Sequence, residues 1–177
     1  MVEANSSYEK SILLAITCGD YSATRGYKAD NPDVQVDNLF CPKWDRVRIL
    51  GEQGAKGFRT LNPQNYTQHD LVCPDVEDID AIFERVVNET SRCFFAVYYS
   101  GHGIIDKRGS RTCIVMSYRN QNNKMYYYPI QEAVEELARK RNMWTFAGLE
   151  CCREDLPAVK MGFYEKYEPA WLTNLIQ

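Results

Sequence analysis

The sequence predicts an α/β fold with a mostly parallel central sheet and helices on both faces, on three observations. Short runs that are apolar on every side, SILLAIT, CFFAVYY and MWTFAGL, have strand length and the even hydrophobicity of strands covered above and below. Two apolar stripes at helical spacing, Ile79-Ile82-Phe83-Val86-Val87 and Ile130-Ala133-Val134-Leu137-Ala138, stand between those runs. Strands that alternate with helices in this way have the crossovers that parallel pairing requires.

Taken in order, Ser11–Thr17 is the first buried strand, and Cys18 to Asp30 a loop containing Gly, Ser and Asp. Asn31-Pro32 has the form of a helix start, leading into a short helix over Val34–Phe40 that Pro42 ends. Arg46–Leu50 alternates polar and apolar residues and predicts a second strand, while Gly51 to Pro74 lacks sustained periodicity and predicts a long surface loop. The first helical stripe has Asp75 as its cap. Cys93–Tyr99, Thr112–Tyr118 and Met143–Leu149 complete the strands, with a polar turn over Asn120–Lys124. The tail after residue 155 predicts a loop and a short helix anchored by Tyr164, Tyr167 and Trp171; the YYYP stretch at Tyr126–Pro129 either packs inside or faces a partner.

The 177 residues suffice for one domain with a real core. A net charge of −3, with no Lys/Arg tract, gives no electrostatic case for nucleic acid or an anionic membrane. No apolar run approaches the roughly 18–20 residues of a membrane span, and Glu3 and Glu9 before a short apolar stretch do not make a signal peptide. Seven cysteines, an odd number, with no secretion signal predict reduced thiols and a cytoplasmic location. The sequons at Asn5, Asn65 and Asn88 then read as chance. With no Cys-x-x-Cys pair and only His69 and His102, no metal site is expected.

Parallel sheets bind ligands beyond the carboxyl ends of their strands, so the exits of the buried strands carry the chemistry. One exit holds Ser100-Gly101-His102-Gly103 and another Glu150-Cys151-Cys152-Arg153. A thiol attacks only after losing its proton, and a neighbouring imidazole takes it. Glycines flanking His102 allow a sharp turn and close approach of a substrate, and backbone amides of Gly103 and the nucleophile suit a developing oxyanion. Each motif alone has a plainer explanation, a turn for Gly-His-Gly and a small buried side chain for the cysteine. Together, in order and at matching exits, they point to nucleophilic catalysis.

FFAVYYSGHG, followed about fifty residues later by WTFAGLECCRE, resembles the caspase-like cysteine peptidases, and within them the metacaspases and paracaspases. The resemblance runs from Ser11 to about Arg153, and the separation of His102 from Cys152 is part of it. It implies the caspase-like (caspase–haemoglobinase) fold and a cysteine endopeptidase acting through a thioester. Cys152 is then the nucleophile, His102 the base, Gly103 and Cys152 the oxyanion donors, and Glu150 an acidic group in the pocket for an Arg or Lys side chain. Where the usual pattern has Asp two before the cysteine, this chain has Glu150; Cys151 holds the variable position between, and Glu154 stands where caspases have Gly. The alternative specificity is cleavage after Asp, with Arg25 of Thr24-Arg25-Gly26 binding the substrate carboxylate. Only 25 residues follow Cys152, so the chain reads as a single large-subunit domain over residues 1–177 with the small subunit absent. The expected partners are a peptide substrate and a small-subunit or homologous caspase-like domain. Calcium dependence is a property of metacaspase relatives, and no ligand set for it is assignable here. Two rivals are a weak or inactive caspase-like domain that regulates others, and a thiol-redox domain using Cys151-Cys152. The latter ranks last because neighbouring cysteines rarely reach good disulfide geometry.

Overall fold

The computed structural model describes residues 8–21, 38–50, 65–106, 110–119, 122, 124–154 and 164–176. In chain order its elements are β1 (Lys10–Thr17), α1 (Cys41–Leu50), β2 (Tyr66–Val72), α2 (Val76–Val87) and β3 (Cys93–Asp106). There follow β4 (Arg111–Arg119), β5 (Met125–Tyr128), α3 (Ile130–Ala138), β6 (Met143–Glu154), β7 (Tyr164–Lys166) and α4 (Ala170–Ile176).

Every residue from Ser11 to Cys18 is buried, as a strand with no polar side demands. Strand β1 pairs in parallel with β2 on one edge and β3 on the other, and β6 pairs in parallel with β3 beyond. β1 stops at Thr17, opposite Ser100, but β3 runs on and pairs antiparallel with β4 through Gly103–Asp106. β5 and β7 extend that side, giving a mixed, mostly parallel sheet of seven strands among the described residues. The α/β architecture thus agrees with the sequence.

Alternation along each strand divides the side chains between two faces. Ile12, Leu14, Ile16, Phe95 and Val97 join Ile79 and Phe83 of α2 and Ile130 and Leu137 of α3 in one buried cluster. Leu13, Ala15, Ala96 and Ser100 are buried on the opposite face, where α1 lies, with its Asp45 carboxylate accepting from Ser100 Oγ at 2.7 Å. Helix α2 forms where its stripe predicts. Its first turn holds Glu77 and Asp78, favourable at a helix N-terminus, and the Asp75 N–H donates to the Asp78 carboxylate at 3.2 Å.

Several expectations fail. Arg46–Leu50 is the second half of helix α1, not a strand, and Pro42 belongs to the first turn of that helix instead of ending an earlier one. Proline's missing N–H costs nothing there, and five alternating residues are too few to separate strand from helix. Within the expected loop Gly51–Pro74, Tyr66–Val72 is strand β2; its side chains are half-buried or exposed, so its composition resembles a loop while its backbone pairs with β1. The proposed helix from Asn31-Pro32 lies outside the described residues up to position 37, and residues 38–40 are not helical. Strands expected to end at Tyr99 and Leu149 continue to Asp106 and Glu154. Past the end of β1 each backbone still satisfies the other's polar groups, which keeps both extended. His102 and Cys152 therefore lie within strands, not in loops beyond them.

The three tyrosines of the YYYP stretch lie in β5, with Tyr128 fully buried, and the tail adds β7 as well as helix α4. Buried Asp80 of α2 accepts from Trp171 Nε1 at 2.7 Å and from the Tyr128 and Tyr167 hydroxyls at 3.2 Å each. The Phe83 and Trp171 rings stack at 5.4 Å. No helix among the described residues is long and apolar enough to cross a membrane.

Candidate active site

The parallel register of β3 and β6 sets Ser100 opposite Glu150, Gly101 opposite Cys151, His102 opposite Cys152 and Gly103 opposite Arg153. Neighbouring strands run about 4.8 Å apart, so two positions separated by half a hundred residues become lateral neighbours. For Cys152 only the backbone is described; its side chain and the whole of Arg25 lie outside the described atoms and residues. Cys151 packs against the hydrophobic core, which assigns it a structural place and leaves position 152 as the alternate one along the strand.

His102 is half-buried and surrounded by tyrosines that the sequence reading did not single out. The Tyr21 ring lies 4.8 Å from the imidazole, centroid to centroid. Its hydroxyl oxygen accepts the His102 backbone N–H at 2.8 Å, and the Tyr99 hydroxyl donates to the His102 carbonyl at 2.7 Å. Tyr21 is itself held by its N–H, which donates to Asn38 Oδ1 at 2.8 Å. Burial pushes the ionisation of both phenols well above the ordinary tyrosine value, so both remain protonated donors. Gly101 serves a different purpose from the one expected. A Cβ there would stand 2.3 Å from the Tyr99 hydroxyl oxygen, so the missing side chain makes room for a phenol and not for a substrate. Gly103 is buried, between Ile114 of β4 and Arg153 of β6.

Glu150 is exposed, on the strand position opposite Ser100, and Ser100 in turn holds Asp45 of α1. The Tyr98 hydroxyl is pushed up to about 12, first by burial and then by the charges of Asp45 and Glu150. Carboxylates of two distant segments thus both bear on the Tyr98 hydroxyl. Asp45 was missed because its segment reads as the approach to a strand. Beyond the carboxyl ends of β1 and β2, Thr17, Gly19, Asn38, Phe40, Pro42 and Val72 help line an open cleft of about 390 Å³, the position expected for a ligand on a parallel sheet.

His69 sits on β2, opposite Leu14 of β1, and burial lowers its proton affinity; it is not part of the β3–β6 pair. Burial raises the Cys93 thiol to about 11 and the Cys113 thiol to about 12, which keeps both protonated and unreactive. Among the described residues no three His, Cys, Asp or Glu side chains converge as a metal site. No protein-family model matches this chain, and no curated protein matches it either.

Proposed function

We propose that this chain is a caspase-like cysteine endopeptidase domain with a His102–Cys152 dyad. The observation that carries the proposal is the register of β3 and β6, which makes His102 and Cys152 direct partners on adjacent parallel strands. His102 takes the Cys152 proton, and the thiolate sulfur bonds to the scissile carbonyl carbon. The carbonyl electrons move onto oxygen to give the tetrahedral oxyanion; the Gly103 and Cys152 amides that the resemblance assigns to it lie in the β3–β6 ladder, so they serve it only where that pairing opens. Collapse expels the amine, protonated by the His102 imidazolium, and leaves a thioester. Water, deprotonated by His102, then releases the acid and restores the thiol.

Asp45, bonded to Ser100, and Glu150, the register partner of Ser100, support a preference for Arg or Lys before the scissile bond, because acidic residues on that face favour a cation. Arg25, the residue that cleavage after Asp would use, lies outside the described residues. A second reading, a regulatory domain that binds a relative, is favoured by one observation. Among the described residues β6 pairs with β3 alone, and Trp144 and Phe146 on it are 40% and 50% exposed. In both readings a small-subunit or homologous caspase-like partner adds to that edge, and the odd cysteine count supports a cytoplasmic location.

The test is hydrolysis of fluorogenic peptides ending in Arg, Lys or Asp, with and without calcium, by the chain and by its Cys152→Ala and Cys151→Ala variants. Cleavage after Arg or Lys is expected, lost by roughly a thousandfold or more in Cys152→Ala and retained in Cys151→Ala. Cleavage after Asp alone would transfer the specificity to Arg25. If no peptide is cut and iodoacetamide modifies Cys152 no faster than the accessible Cys41, the regulatory reading replaces the enzyme.

A further inference from the structure

We infer that Tyr21 and Tyr99 are positioning residues for His102, closing a ring of hydrogen bonds around the backbone of that one residue. The inference rests on His102 as the base and extends that assignment to the groups that hold it. Three contacts form the ring: His102 N–H to the Tyr21 oxygen at 2.8 Å, the Tyr99 hydroxyl to the His102 carbonyl at 2.7 Å, and the two hydroxyl oxygens 3.4 Å apart.

Proton counting orders the ring. Each phenol has one proton to donate. That of Tyr99 goes to its shortest acceptor, the His102 carbonyl, with the Val115 carbonyl at 3.1 Å as a second, longer one. The Tyr21 oxygen receives the His102 N–H, so its own proton is directed to the Tyr99 oxygen. The path from His102 N–H through Tyr21 and Tyr99 returns to His102 C=O.

An ordinary strand residue gives its N–H and C=O to neighbouring strands, whose ladders shift and twist together. The His102 N–H donates to a side chain from the loop after β1, and the His102 carbonyl accepts from the hydroxyl of a fully buried ring three residues back along β3. Both peptide groups of the residue are therefore referenced to rigid phenols in the core. A catalytic group has to be held within about 0.5 Å and 10–20° of its working geometry, and fixing both peptide groups fixes where the Cα–Cβ bond starts. The Tyr21 ring, tilted 57° to the imidazole, flanks the side chain as well. Gly101 is the condition for this arrangement, since a Cβ there would meet the Tyr99 oxygen at 2.3 Å and the Tyr21 oxygen at 3.0 Å.

The test uses Tyr21→Phe, Tyr99→Phe and the double variant in the full chain, since phenylalanine keeps the ring packing and removes only the hydroxyl. Two readouts are taken: the exchange rate of the His102 backbone amide by NMR, which needs no substrate, and kcat and KM on an Arg-ended peptide. In Tyr21→Phe the His102 amide is expected to exchange at least tenfold faster while the Leu14 and Val97 amides keep their rates. kcat is expected to fall about tenfold or more with KM within twofold. The double variant should be no slower than the worse single one, because either change already opens the ring. An unchanged His102 amide rate in Tyr21→Phe, or an unchanged kcat in an enzyme that cuts, overturns the inference. If the unaltered chain cuts nothing, the peptidase reading fails separately and the amide rate alone decides the ring: faster exchange supports it, and no change refutes it. Should Tyr99→Phe fail to fold, Tyr21→Phe still decides, its side chain being contributed by a loop outside the sheet.

Discussion

Ser100 donates its hydroxyl to Asp45 Oδ2 at 2.7 Å, and its register partner on β6 is a second acidic residue, Glu150. A hydrogen bond to a charged group is worth about 1.5–3 kcal/mol, so Asp45→Asn and Glu150→Gln are each expected to lower kcat/KM for Arg-ended peptides roughly tenfold or more. Steady-state kinetics on paired Arg and Asp peptides check this; equal effects on both would remove the acidic-pocket account. Glu150 was legible in the sequence because it lies two residues from Cys152. Asp45 was not, since its contact with Ser100 spans 55 residues. Gly101 shows the same divide. The glycine is visible in the motif, but its reason, the Tyr99 hydroxyl in the space of a side chain, is a matter of packing.

Among the elements, the helices with apolar stripes, α2 and α3, follow their sequence closely, because a stripe of that period has only one way to be buried. The turn from α2 into β3 adds an electrostatic clamp that periodicity does not show. Glu89 accepts from Lys10 Nζ at 2.7 Å and from Ser91 Oγ at 2.7 Å, tying the start of β1 to the end of α2. These contacts, the Lys10 bond first, hold its carboxyl down at about 2. A carboxyl depressed on folding stabilises the fold above the ordinary glutamate range, and that contribution disappears as pH falls through about 4.5 towards 2. Urea unfolding from pH 6 to pH 2.5 is expected to show a smaller loss of stability in Glu89→Gln than in the unaltered chain. Equal losses would show that the clamp contributes nothing. Helix α1 and strand β2 were misread for a common reason. Neither hides a regular apolar face: Trp44 and Val47 on α1 and Val72 on β2 are exposed; β2 is held by its pairing with β1, and the two elements are tied together by Arg46 with Asp70.

At the scale of the molecule, the tail returns to the core through one buried acid. Asp80 receives three donors, from Tyr128, Tyr167 and Trp171. Asp80→Ala leaves these donors without their acceptor at a cost of about 1–3 kcal/mol for each that stays buried. The expected result is a marked fall in unfolding free energy together with a change in the near-ultraviolet signal of Trp171; a variant as stable as the original would mean that the tail is held by ring packing alone. The tail's anchors, Tyr167 and Trp171, were visible as aromatic residues in a polar segment, while the acid that gathers them, 91 residues from Trp171, was not. The same distinction applies to the whole fold and its candidate site. By itself the sequence determined the α/β class, the buried strands, the striped helices and the two motifs, because each is a local pattern of polarity or backbone freedom. Only the tertiary structure decided that β3 and β6 run on past β1, that their register sets His102 against Cys152, and that Tyr21 and Asp45 arrive beside them. Register and convergence depend on which backbones pair across the sheet, and a one-dimensional pattern of hydrophobicity is the same for every partner a strand might have.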